Sequence, residues 1–247
     1  DQVTTTGVSY GDVFATGDHS TLRTSIGLFT RTERLTSNLS ERVDPLPGMA
    51  LGRELRADEL SCNGRITGLM DVGREGIFQW GLSAHSVPDF SVDLVADDGT
   101  SLNAEHLDQW VYGADLTFGW SDETEGPSWT AGWEGLIADG AIAARAVGSG
   151  PATLEVVEDK AIGQYLWLEH RTRSGRALGA VFSSFERPDM DLAQEREVSL
   201  YFARPLGERS QLRFQVSHRD LEGQESSDRL VVQWMGWTGR LGHTLDW

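Results

Sequence analysis

Apolar and polar residues alternate one by one through most of the chain, a period of two that is typical of β-strands. The clearest segment is 110–120. One of its faces carries Trp110, Tyr112, Ala114, Leu116, Phe118 and Trp120. The other carries Val111, Gly113, Asp115, Thr117 and Gly119. A helix would distribute these aromatic residues around its circumference, whereas a strand places all of them on one side. The segment is therefore predicted to be a strand with one apolar and one polar face.

The same periodicity predicts about a dozen strands, separated by residues that favour turns. The predicted segments are 22–32, 49–56, 63–72, 77–86, 90–96, 110–120, 128–138, 141–147, 152–158, 163–172, 177–186, 195–204, 210–219 and a C-terminal stretch within 229–247. Because neither a repeat of fixed period nor a linker divides the sequence, residues 1–247 are predicted to form a single all-β domain.

Three segments depart from the period of two. Residues 101–108 have helical spacing behind the capping residue Ser101, which predicts a short helical turn. Residues 33–48 are polar and contain two prolines, which predicts a loop. Asp139 and Gly140 have the composition of a two-residue hairpin turn.

The connections in the last third of the chain alternate in length. The segments 174–176 and 205–209 are short, whereas 188–194 and 220–228 are longer and acidic. Transmembrane barrels have short turns at one end and longer loops at the other. A soluble sandwich also produces this alternation by chance over four connections, so both interpretations stay open at this point.

Charge and cysteine content exclude several classes of protein. The net charge of −17 opposes binding to a phosphate backbone, so no nucleic-acid partner is expected. A single cysteine, Cys62, excludes an intrachain disulfide and a zinc site with several cysteines. No run of about 18 apolar residues exists that would form a transmembrane helix. The sequence opens without a basic and apolar leader, which indicates a removed signal peptide or an excised domain.

Two features of the strands favour a barrel in a membrane. Trp110 and Trp120 lie on one face of a strand, about 34 Å apart at 3.4 Å per residue. A strand tilt of 35–45° reduces this distance to about 24–28 Å, close to the apolar band between the aromatic girdles of a membrane barrel. The opposite faces carry small or charged residues of both signs. The residues predicted to face the lumen are Gly113, Asp115, Thr117, Glu197 and Arg213.

The sequence ends on an aromatic residue after an alternating segment. Counting back by two from Trp247 gives Leu245, His243, Leu241, Gly239 and Trp237. This ending resembles that of bacterial outer-membrane β-barrel proteins, although His243 stands where an apolar residue or tyrosine is usual. The resemblance implies an outer-membrane location, contact with outer-membrane lipid, and recognition of the last strand by the barrel-assembly machinery. It also places Trp110, Trp120, Trp237 and Trp247 in the membrane girdles.

A closed antiparallel barrel of about twelve strands in this length is similar to the translocator domains of autotransporters. Residues 8–14, followed by a strand from Leu22, resemble the start of such barrels. The resemblance implies a translocator, a pore or an anchor, with a passenger or a small solute as partner. The chain departs from that family because residues 1–21 lack the pattern of the helix that threads the family's lumen.

Residues capable of chemistry occur without the spacing that catalysis or metal binding requires. The six histidines form no metal-binding pair, and His85, although next to Ser86, lies in no known catalytic signature. The acidic segments 97–98 and 122–125 lack calcium-loop spacing. We therefore predict no catalytic, cofactor-binding or metal-ligating residue and favour a role other than catalysis. The alternative is a secreted β-sandwich that binds or cleaves polysaccharide through Trp129, Trp133 and Glu134.

Overall fold

The computed structural model describes residues 5–31, 38–39, 43–45, 60–96, 101–122, 126–147, 153–187, 192–207 and 210–236. These residues form eleven long strands and two short ones. The strands are β1 Thr5–Gly17, β2 Ser20–Arg31, β3 Asn38–Leu39, β4 Val43–Pro45, β5 Leu60–Val72, β6 Gly76–Ala96, β7 Ser101–Ser121, β8 Ser128–Val147, β9 Thr153–Arg171, β10 Ala177–Arg187, β11 Ala193–Gly207, β12 Ser210–Leu221 and β13 Ser227–Gly236. Within these ranges, no helix is long and apolar enough to cross a membrane.

The eleven long strands form one antiparallel sheet in which each strand pairs with its neighbours in sequence. Successive connections lie at opposite ends of the sheet. One end, here the turn end, carries the connections 18–19, 73–75, 122–127, 172–176 and 208–209. The other, here the loop end, carries 32–59, 97–100, 148–152, 188–192 and 222–226. The connections alternate between the two ends of the sheet, as expected. Apart from 32–59, however, the connections at the two ends differ little in length.

β1 and β13 are the edges of the described sheet, and no ladder joins them among the described residues. The all-β antiparallel prediction is therefore confirmed, whereas closure into a barrel is not seen in these strands. β1 and β13 both run towards the turn end, because an odd number of antiparallel strands brings its first and last members into the same direction.

The register places the apolar residues of neighbouring strands on one face of the sheet. Trp110, Leu116 and Phe118 of β7 lie beside Ser86, Trp80 and Phe78 of β6. This surface, here the apolar face, is largely exposed: Leu116 is 43% exposed and Leu200 is 60% exposed. The other surface, here the polar face, contains buried polar side chains such as Ser217, which is 2% exposed. This distribution is the reverse of that in a water-soluble sheet, which buries its apolar side.

Four strands continue past their neighbours at the loop end. β5 pairs with β6 only up to Ser86, and β10 pairs with β9 only up to Gly163. Beyond these points β6–β9 pair with one another, and we call residues 87–96, 101–109, 138–147 and 153–161 the extension. β3 pairs with β6 in the extension, and β4 pairs with β8 there.

The extension has an ordinary dry core. Two clusters of buried apolar residues lie in it, one around Phe90 and Leu107 and the other around Ile142. Most of its exposed residues are polar, among them Asp89, Asn103, Glu105, His106, Asp108, Glu155, Glu158 and Asp159. The polarity of the exposed surface therefore reverses within single strands. On the turn-end side of Trp110, β6–β9 expose apolar residues, and on the loop-end side they bury them.

Several predicted boundaries were wrong. Residues 101–108 form no helical turn but lie in β7, since Leu102 and Leu107 are buried against β6. Asp139 and Gly140 form no hairpin and lie inside β8, where Gly140 has a φ of 100° next to a register shift. Three pairs of predicted segments are single strands: 77–86 with 90–96, 128–138 with 141–147, and 152–158 with 163–172.

The N-terminal and C-terminal predictions had mixed outcomes. β1 was not among the predicted strands, although its residues show no helix, as expected. The predicted loop 33–48 contains the short strands β3 and β4, and its other residues lie outside the described ranges. The predicted strand 49–56 and residues 237–247 also lie outside them.

Candidate functional site: the polar face of the sheet

The polar face carries a row of paired charges that begins on β5 and β7. Arg65 Nη2 donates a hydrogen bond to Asp115 Oδ2 at 2.7 Å, and the Asp115 side chain is only 15% exposed. Gly81 of β6 lies between the two strands, and a side chain there would occupy the position of the Asp115 carboxylate. The absence of a side chain at Gly81 thus allows the ion pair to form across β6.

The row continues across the next strands. Asp115 pairs in register with Glu134, and Glu134 pairs with Tyr165. The Tyr165 hydroxyl donates to Glu134 Oε2 at 2.6 Å. Tyr165 then pairs with Ser183, and Ser183 pairs with Glu197, so one polar row crosses five neighbouring strands.

A second group lies nearer the turn end. The Tyr201 hydroxyl donates to Glu169 Oε2 at 2.7 Å, and the Arg213 guanidinium lies 3.8 Å above the Tyr201 ring. The Tyr201 ring crosses Gly179 of β10, where any Cβ would collide with the ring. A glycine at this position therefore lets an aromatic residue reach a carboxylate two strands away.

On β11 and β12, the polar face carries a hydrogen-bonded cluster of neutral groups. The hydroxyls of Ser199 and Ser217 lie 2.8 Å apart, and Gln215 Nε2 donates to both of them. Ser199 also donates to Glu197 Oε1 at 2.9 Å. At the loop end, Glu195 accepts hydrogen bonds from Arg187 and Arg219. Such partners offset the cost of removing these polar groups from water.

All five residues predicted to face a lumen lie on the polar face. Gly113, Asp115 and Thr117 alternate on β7 with the exposed apolar residues, while Glu197 of β11 and Arg213 of β12 lie in the network. The sequence did not identify Glu134, Tyr165, Glu169 or Tyr201 as members of this network. Their alternation was visible, but their contacts depend on the register between strands.

Two of the four tryptophans predicted for the girdles lie among the described residues. Trp110 and Trp120 lie on the apolar face, and Trp110 stacks on Tyr112 with ring centroids 6.0 Å apart. Trp237 and Trp247 lie outside the described residues. Sequence reasoning missed Trp234, which is 66% exposed on the same face of β13. The alternation of Leu230, Val232 and Trp234 in the sequence could have placed this tryptophan on the apolar face.

The residues proposed as a sugar platform are divided between the two faces. Trp133 and Trp129 lie on the apolar face, in register with Leu116 and Trp120, whereas Glu134 lies on the polar face. Trp129 packs on His170 with ring centroids 4.4 Å apart. The three side chains therefore do not converge on one ligand.

Three described histidines contact single carboxylates: His19 with Asp71, His106 with Asp89, and His218 with Asp228. Within the part of the chain that the structure describes, no group of three potential ligands is placed to hold a metal ion. Chemically, the polar face offers hydrogen-bonding groups and charges of both signs to water and polar solutes. The chain matches no protein-family model, and no curated protein matches it.

Proposed function

We propose that the chain is a transmembrane β-barrel of a bacterial outer membrane whose polar face lines a pore for small polar solutes. The observation that carries this proposal is the reversed polarity of the sheet. Exposed apolar side chains cover one face, while hydrogen-bonded polar side chains cover the other. A lipid exterior and a water-filled interior stabilise this arrangement, whereas water on the outside would destabilise it.

The height of the apolar band supports the same proposal. Trp110 and Trp120 are ten residues apart on β7, which corresponds to a height of about 24–28 Å in a tilted strand. Beyond Trp110 most exposed residues of the extension are polar, and its core is apolar. Trp110 therefore lies where an interface between lipid and water is expected.

Strand direction supports closure by a twelfth strand. β1 and β13 are parallel to each other, so one strand running from the turn end to the loop end would pair antiparallel with both. Residues 237–247 follow β13 at the turn end and contain the alternating Leu241, Leu245 and Trp247. The sequence predicts a final strand in this C-terminal stretch, and such a strand would give the even number of strands usual in such barrels. Their recognition by the barrel-assembly machinery belongs to the same proposal.

Truncation tests the closure. The full chain and a chain ending at Gly236 are folded into the same vesicles and run on SDS gels with and without heating. We expect the full chain to migrate as a compact, heat-modifiable species and the truncated chain to lose that species, because two unpaired edges remain. A truncated chain with unchanged heat modifiability would refute the twelfth strand.

Bilayer conductance tests the pore with a matched pair of substitutions. Gly119→Trp adds a ring to the polar face at a position where a Cβ meets no atom within 4 Å. Leu200→Trp adds a similar ring on the apolar face. We expect unit conductance to fall in the first variant and to stay unchanged in the second. An equal effect of both variants would contradict the assignment of the faces.

A membrane anchor is the second candidate, and the extension is the observation that favours it. Four strands rise past the apolar band with their own core and receive β3 and β4 from the segment 32–59. A barrel that folds into vesicles but conducts no ions would support a role in holding this extension, or a passenger, at the membrane surface.

A further inference from the structure

An apolar cavity opens on the polar face just below the extension. Its volume is about 490 Å³, within the range of small-molecule sites. Its apolar walls are Val111, Leu136, Ala138, Ala161, Val181 and Phe185. The cavity thus lies at the point where the polar row of β7–β11 meets the dry core around Ile142, to which Ala138 and Ala161 belong.

The cavity exists because two strands diverge. β9 and β10 remain paired up to Gly163 and Phe185, and β9 then continues into the extension paired with β8 but without β10. The next amide, that of Ile162, donates instead to the Glu186 side chain at 2.8 Å. Ala138, Ala161 and Gly163 have little or no side chain, so the space between the diverging strands is left unfilled.

The polar groups of the cavity have one electrostatic character. Glu134, Tyr165 and Ser183 line it from the polar face, whereas Gln164 and Glu186 occupy the alternate positions of β9 and β10. None of the lining residues is Lys, Arg or His. Glu134 accepts one hydrogen bond, from Tyr165. A carboxylate has about four acceptor positions, so further donors can bind to it.

We propose that this cavity binds an amphiphile with a single alkyl chain and a protonated amine head. The chain fills the apolar part, and the ammonium group donates to Glu134 at the rim. A charge-assisted hydrogen bond of this kind is stronger than a neutral one. An anionic head would be repelled by the Glu134 carboxylate and be disfavoured. The site rests on the described cavity alone, so it is independent of whether the barrel conducts.

Calorimetry on the full-length protein in amphipol tests the site, with decylamine, 1-decanol and decanoate as probes. We expect saturable binding of one decylamine per chain. We expect decanol to bind at least about tenfold more weakly, because it lacks the charge, and decanoate to show no saturation. Glu134→Gln keeps an acceptor for Tyr165 but removes the charge, so it should bring decylamine and decanol to within about twofold of each other.

A matched pair of substitutions locates the binding. Val181→Trp fills the cavity, while Val198→Trp makes the same change on the apolar face, where Val198 is 49% exposed. Val181→Trp should abolish saturable binding, and Val198→Trp should preserve it. Absence of saturable binding in the unmodified protein, or equal binding by the two variants, would overturn the proposal. The conductance measurement is separate, so failure of the pore would leave this result interpretable.

Discussion

Leu116→Arg distinguishes a lipid-facing surface from a water-facing one. Leu116 lies on β7 about 20 Å along the strand from Trp110 and about 14 Å from Trp120, near the middle of the apolar band. Its side chain is 43% exposed, so in water an arginine there would reach solvent without displacing a packed core. Surface substitutions of this kind usually change stability by no more than about 0.5 kcal/mol.

In a bilayer the same substitution places a guanidinium near the midplane. The expected cost is about 2–4 kcal/mol, and Trp120→Arg at the edge of the band should cost only about 0–1 kcal/mol for the charge. The measurement is reversible unfolding by denaturant in lipid vesicles, followed by tryptophan fluorescence. Leu107→Arg is the control, because Leu107 is 6% exposed in the extension and its replacement destabilises the protein in any solvent. A loss below about 0.5 kcal/mol for Leu116→Arg would refute the lipid-facing assignment.

Two further predictions concern the polar face and the extension. Gly179→Val should displace the Tyr201 ring and cost about 1–3 kcal/mol through its lost hydrogen bond, whereas Gly119→Val, with open space around it, should cost far less in the same unfolding measurement. The hydrogen bond to Asp89, then the charge of that carboxylate, raises the pKa of His106 above its ordinary value of about 6.5. Asp89→Asn should lower this pKa in an NMR titration. The contact between His106 and Asp89 should stabilise the fold fully at pH values below the ordinary pKa of histidine. This stabilisation should be lost as the pH rises through the raised pKa. An unchanged titration in Asp89→Asn would contradict this pairing.

The strands with uninterrupted alternation could be predicted from sequence, as 110–120 shows, because burial on one face imposes a strict period of two. Bulges remove that signal. β6 and β8 shift register near Val87 and Ala141, so the alternation changes face there and each long strand was predicted as two. The Asp139-Gly140 pair had the composition of a turn, but pairing with β7 and β9 holds it in a strand.

The polar network was harder to predict than the strands that carry it. Asp115 and Arg213 could be assigned to a face from alternation alone, but the partners Glu134–Tyr165 and Glu169–Tyr201 depend on inter-strand register. Alternation is also identical for a soluble and a membrane sheet. The exposure of side chains such as Leu200 on the apolar face is visible in the folded sheet and not in the pattern.

Pairing between sequence neighbours makes each hairpin a separable unit. The long strands contact chiefly the strands before and after them, and β3 and β4 are the only described strands that pair elsewhere. Gene duplication or deletion of one hairpin would therefore change the width of the sheet by two strands and preserve the direction of every other strand. The hairpins β1–β2 and β12–β13 contribute no residue to the core of the extension. They can be exchanged in this way without disturbing that core, so the sheet can evolve in width while the extension stays constant.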